Sequence, residues 1–200
     1  MRYGKRMSAT PILDADPTDA DGPTPRPLTT RDVLAMVRAG TMAEDERVEL
    51  IEGELLRMSP KNRRHELVKN WLIERAVLAA GDRYRVAVEG TLYLSDETFV
   101  EPDIALVPRG TVITDLRGPD MLLIVEVSDT TARHDLVRKR RLYARHGVPE
   151  YWVIDVSRAR TVVHRRPTDD DYRDVRENAE DETLTPSLAS ALSVRIADAE

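Results

Sequence analysis

The stretch Met121-Leu122-Leu123-Ile124-Val125-Glu126-Val127 is apolar throughout except for Glu126. A continuous apolar run suits a strand covered on both faces. A carboxylate buried there without a partner is costly, which makes Glu126 the most informative residue of the chain. Asp103 has a similar setting: it follows Pro102 and opens the apolar run Ile104-Ala105-Leu106-Val107. Two carboxylates at neighbouring strand ends can share a hard divalent cation, since Mg²⁺ takes oxygen ligands at about 2.0–2.1 Å and keeps several waters. Acids paired with arginine, or set at a solvated strand end, leave the same pattern.

Outward from this run the chain reads as mixed α and β. Thr29 or Thr30 caps a short helix bearing Val33, Leu34, Met36 and Val37 and stopping at Gly40. Residues 48–51 and 54–58 flank Glu52-Gly53, a hairpin signal. Residues 62–80 carry Leu67, Val68, Trp71, Leu72 and Leu78 at helical spacing, with Gly81 as the stop. Strands are predicted over 84–88, 91–94, 103–107, 150–156 and 161–165, and a helix over 133–146 ending at Gly147. The class predicted is α/β (α+β), a central mixed sheet flanked by helices, with the acids at one edge of the central strands. Residues 1–27 read as a disordered arm, broken by five prolines and poor in apolar groups, leaving 28–200 as one domain.

Composition narrows the function. The 200 residues hold 30 Lys+Arg and 36 Asp+Glu, a formal charge of −6. The excess acid lies beyond Arg165, because residues 28–165 hold 22 of each sign, so the total does not exclude a nucleic-acid partner. With no cysteine, disulfide scaffolds and thiol nucleophiles drop out. No apolar run is long enough to span a membrane, and no apolar segment follows the basic start as in a secretory signal. A cytoplasmic location is the expectation. A Gly-x-Ser-x-Gly elbow, a phosphate-binding glycine loop and a Trp-rich sugar cleft are all missing from the sequence.

Lys139 lies 13 residues after Glu126 on the following predicted helix. From there its ammonium can fold back over the strand end, orient a water and stabilise charge growing on a phosphate. Held instead by Asp135, four residues earlier, it is an ordinary exposed helix cation. Pro102-Asp103 followed by a hydrophobic strand ending Glu126-Val127-Ser128 resembles the PD-(D/E)XK nuclease superfamily. With Glu49-Leu50-Ile51-Glu52-Gly53-Glu54-Leu55, His65, Asp135, Lys139, Tyr143 and Gly147-Val148-Pro149-Glu150-Tyr151-Trp152, the chain resembles more narrowly the Uma-two-type restriction endonuclease family, from about Thr29 to the C-terminal region. The resemblance implies a restriction endonuclease-like fold and a Mg²⁺- or Mn²⁺-dependent endonuclease. Asp103, Glu126, the Val127 carbonyl and Glu49 would serve the metal, and Asp103, Glu126 and Lys139 the catalysis. The superfamily's usual lysine position is Ser128 here, which moves the role to Lys139. Asp129 stands where the family commonly has proline.

The partner implied is nucleic acid, DNA first, cut by a homodimer because a two-fold protein suits two strands. His65 can contact a phosphate or a carboxylate beneath it, or merely pack. Arg133, Arg138, Arg140, Arg141 and Arg145 form the strongest basic cluster around Lys139, and Lys61, Arg63 and Arg64 a smaller one beside His65. Arg138, Arg140 and Arg141 are the candidate phosphate contacts, other members of their cluster a solvated face, and the patch at Lys61, Arg63 and Arg64 a second place for local DNA affinity. Aromatic residues are only 4%, so a base-stacking platform is not supported. The competing function is a catalytically inactive nuclease-fold module for nucleic-acid or protein binding.

Overall fold

The strand at the centre of the argument, β7 (Leu123–Ser128), is buried at all six positions. Its odd residues Leu123, Val125 and Val127 face one hydrophobic cluster. On the opposite face Ile124 belongs to a second cluster. In the computed structural model, which describes residues 25–129 and 134–199, β7 lies inside a six-stranded sheet of order β10-β9-β8-β7-β6-β3. Its members are β3 (Tyr84–Val88), β6 (Ile104–Pro108), β8 (Glu150–Asp155), β9 (Arg160–Pro167) and β10 (Tyr172–Ala179). Only the β7–β8 pair is parallel. The others are antiparallel.

A second sheet, order β2-β1-β5-β4, is formed by β1 (Val48–Ile51), β2 (Glu54–Arg57), β4 (Leu92–Ser95) and β5 (Thr98–Val100). Glu52 and Gly53 turn the β1–β2 hairpin with φ of 54° and 79°, the left-handed backbone that such tight turns demand. Gly53 is required for a further reason: a Cβ there would fall 2.2 Å from the Cβ of Pro27. Helix α1 (Thr30–Arg38) starts in a reciprocal cap between Thr29 and Asp32. Helix α2 (Arg63–Ala80) starts at Asn62, whose side chain accepts the His65 N–H at 2.9 Å. One face of α2, with Val68, Leu72 and Ala76, covers the sheet beneath Trp152 and Ile154.

The mixed α and β class expected from the sequence is the observed one, with three differences. The strands divide between two sheets. Strand β5 is only three residues long, too short to leave a periodic signal. Strand β10, from the acidic segment, is an exposed edge strand whose charged residues read as loop. The predicted arm falls mostly on residues outside those described. Among the described residues no helix is long and apolar enough to cross a membrane.

Leu184, Leu192, Val194 and Ile196 pack into the same cluster as α2 and Trp152. Truncation after Arg165 would cut inside β9, remove its partner β10 and strip those four side chains from the core. The shortened chain should lose its cooperative unfolding transition in circular dichroism.

Candidate active site

Strand alternation places the two acids together. Ile104 of β6 pairs with Val125 of β7 in antiparallel register. One step outward along that ladder, Asp103 therefore stands opposite Glu126 at the strand ends. The Asp103 N–H points at Glu126 Oε2 at 3.4 Å, and the Val127 N–H donates to Asp103 Oδ2 at 2.9 Å. Both carboxylates are buried.

The segment after β7 does not enter an ordinary helix. Asp135–Lys139 forms a π turn, and Arg140–Arg145 (α3) continues as α-helix. The wider turn leaves both Asp135 and Lys139 buried, and such turns recur at functional sites. Lys139 Nζ donates to Glu126 Oε1 at 2.8 Å and to Glu49 Oε1 at 2.9 Å. Tyr143, one α-turn further, donates its hydroxyl to Glu126 Oε1 at 3.1 Å. Asp135 accepts a hydrogen bond from the Ser128 hydroxyl. Glu49, on β1 of the other sheet, also accepts the Glu101 N–H at 3.0 Å.

On the opposite side of Asp103, Lys61 and His65 complete its shell. Lys61 Nζ lies 2.5 Å from Asp103 Oδ1, and His65 Nε2 lies 3.1 Å from Oδ2. Lys61 also bonds Glu89, which receives Lys69 Nζ at 2.7 Å. Lys69 in turn holds Glu66 at 2.9 Å. The result is a chain of alternating charges from α2 to Asp103 at the start of β6.

These arrangements separate the two acids in proton affinity. Burial pushes Glu126 up to about 8; Lys139 opposes this, and the negative charges of Asp103, Asp135 and Glu49 add to it. Burial acts in the same direction on Asp103, but His65 and Lys61 outweigh it and hold that carboxyl well below the usual range. Desolvation disfavours charge on Lys139, yet Glu126, Glu49 and Asp135 more than compensate and keep it firmly protonated. Burial keeps Tyr143 protonated, so its hydroxyl remains a donor. Adjacent carboxylates with opposed shifts in a cleft make this the candidate functional site.

The acids and Lys139 open into a cavity of about 680 Å³. Its walls include Leu56, Arg57, Met58, Lys61, Val137 and Arg138. Polar groups thus converge at the floor of a partly apolar cleft, as in ligand sites generally.

Comparison with known families matches residues 32–197 to the Uma2 model, described as "Putative restriction endonuclease". The chain belongs to the Uma2 family. Among solved structures, a "putative nuclease belonging to DUF820" from Anabaena variabilis ATCC 29413 aligns with a TM-score of 0.68 at 18% identity, covering 86% of this chain and 97% of that one. This likeness shows a shared fold, the restriction endonuclease-like one. The type IIG restriction endonuclease BpuSI aligns at a TM-score of 0.36 and 19% identity, over 54% of this chain and 12% of the enzyme. Comparison with curated proteins returned no match.

The Uma2 residues anticipated from the sequence fall in two places. Asp103, Glu126, Lys139, Glu49, Val127, His65 and Arg138 all line the cavity. Arg138 is half committed there, bonding the Ile51 carbonyl at 3.2 Å and Glu54 at 2.7 Å. Arg140 and Arg141 do not line it. Arg140 pairs with Asp171 at 2.8 Å, beside β10, while Arg141 is exposed. Two contacts escape sequence reading. Lys61 looked like part of a surface patch but binds Asp103. Tyr143, read as a packing aromatic, also donates to Glu126. Neither signal is local, because each pair is joined only by tertiary folding.

Two outcomes follow. Lys139→Met leaves two buried carboxylates facing each other and should destabilise the metal-free protein by about 3–5 kcal/mol in urea unfolding. The double variant Lys139→Met, Glu126→Gln should recover part of that loss. Glu89 lies at about 2 against an ordinary 4.5; burial raises it, and the bonds from Lys61 and Lys69 overcome that. A folded-state value below the unfolded one stabilises above pH 4.5, and this contribution is lost as pH falls toward 2. The stability gap between wild type and Glu89→Gln should therefore be widest near neutrality and close across that acid window.

Proposed function

We propose that this protein is a divalent-metal-dependent endonuclease that hydrolyses phosphodiester bonds in nucleic acid, DNA in particular. The observation that carries the proposal is the buried lysine of the π turn seated on Glu126, with Asp103 opposite at the end of the adjacent strand. Membership of the Uma2 family supports it.

The donor set suits a hard cation. Asp103 and Glu126 present oxygen only, and an added positive charge would offset the burial, and the lesser carboxylate repulsion, that raise Glu126. Among the described residues no group of three or more Asp, Glu or His stands ready as a metal cluster. Two carboxylates with the Val127 carbonyl, and Glu49 nearby, are the kind of incomplete set on which Mg²⁺ or Mn²⁺ retains water. A bound ion supplies Lewis acidity to the phosphate and acidifies a water.

The chain's own residues do the remainder. Lys139, fixed by Glu49 and Tyr143's partner Glu126, holds a full positive charge where the attacking water and the phosphate meet. Tyr143 orients the Glu126 carboxyl. His65 and the Val127 N–H fix Asp103 from below. Arg57 and Arg138 on the cavity wall attract the phosphate backbone without reading sequence. A two-fold pair of chains is the assembly proposed, since each protomer then serves one strand.

The test is plasmid cleavage with Mg²⁺ or Mn²⁺, run beside chelator controls. Asp103→Ala, Glu126→Ala and Lys139→Ala should each lower the cleavage rate by about 10²–10³, the range for removing one preorganised electrostatic group. Equal rates in wild type and all three variants would overturn the assignment and favour a binding module. Comparing double-stranded DNA, single-stranded DNA and RNA under the same conditions identifies the substrate.

A further inference from the structure

The two oxygens of Asp103 are held by different kinds of partner. Oδ2 receives the Val127 N–H from β7 and faces His65 Nε2 from α2, both on rigid elements. Oδ1 is held by Lys61, which precedes the Asn62 cap and lies on the connection between β2 and α2. Lys61 lines the cavity together with Asp103, Glu126 and Val127. Its ammonium already has a second seat on Glu89. Glu89 also holds Lys69, and Arg47 lies 3.6 Å away, so this second seat is itself part of a fixed charge network.

A divalent ion and a lysine ammonium cannot both sit on Oδ1 in a buried setting without strong repulsion. We infer that Lys61 is an internal counter-ion: it neutralises Asp103 before metal arrives and withdraws onto Glu89 when a divalent cation takes Oδ1. Lys61 thereby sets the affinity of the centre for metal, a positioning role distinct from that of Lys139. The inference rests on the metal reading above and extends it to a residue that reading does not use. The Val127 N–H and His65 serve Oδ2, and the Lys61 ammonium serves Oδ1, the oxygen of this buried carboxylate that they leave.

The test is Mn²⁺ binding by isothermal titration calorimetry on the full chain, without nucleic acid. Lys61→Met should bind Mn²⁺ about tenfold more tightly than wild type, because a competing charge has gone. Lys61→Arg, which keeps the charge, should stay near wild type. Arg63→Met removes an exposed cation two residues away that does not line the cavity, and should also stay near wild type. A second readout guards against poor folding of the variant: Mn²⁺ should raise the Tm of Lys61→Met by more than it raises that of wild type. Equal tightening in Lys61→Met and Arg63→Met would mean diffuse charge and would overturn the inference. So would unchanged or weaker binding by Lys61→Met when Asp103→Ala abolishes binding, and in that case the metal reading survives. Absence of Mn²⁺ binding in both wild type and Lys61→Met overturns both. Tighter binding by Lys61→Met in a protein that cleaves no nucleic acid upholds the counter-ion and removes the nuclease.

Discussion

A carboxylate inside a fully buried strand must be neutralised, and the site is organised around that requirement. Glu126 shares its face of β7 with Ile124 and the second hydrophobic cluster. Water cannot solvate it there, so its charge is balanced by Lys139 and its remaining capacity by Tyr143. The cost of burying such a pair exceeds what it returns in stability unless its geometry is good and its other donors are satisfied. Here Lys139 has two carboxylate acceptors, and one of them, Glu49, comes from the other sheet. The ion pair therefore also ties the two sheets together at the floor of the cavity.

The π turn follows from the same constraint. In an uninterrupted α-helix beginning after β7, Asp135 and Lys139 would stack as an exposed pair on one face. Widening the turn brings both inward, Asp135 to the Ser128 hydroxyl and Lys139 to the acids. Ser128, two residues after Glu126, thus anchors with its hydroxyl the turn that carries Lys139 to Glu126.

Asp103 and Glu126 stand side by side yet differ in proton affinity because their surroundings differ. Asp103 is flanked by Lys61 and His65 and is held ionised. Glu126, equally buried, has Lys139 as its one cation against that burial and the neighbouring carboxylates, so it is pushed the other way. The charge chain from Glu66 through Lys69 and Glu89 to Lys61 links this pair to the body of α2. The acidic excess of the whole chain has little to do with the site, because much of it lies on the exposed edge strand β10 and its flanks.

The class, most of the elements and the two acids were legible in the chain before folding. Apolar runs of period two or none located β3, β6, β7 and β8, and the helical spacing of Leu67, Val68, Trp71, Leu72 and Leu78 before Gly81 located α2. Asp103 and Glu126 stood out because charge in an apolar run is physically anomalous. The short β5 and the charged β10 left no such anomaly, since a strand at a sheet edge need not be apolar. What only the tertiary structure decided were the pairings. The registration of Ile104 with Val125 placed the two acids opposite each other. The π turn, the reach of Glu49 from a different sheet, and the seating of Lys61 on Asp103 emerged only there. Lysine in a polar stretch reads as solvated surface, and nothing local separates Lys61 from Arg63. Only the packing of α2 against β6 and β7 removes Lys61 from water and gives its charge a partner forty-two residues away.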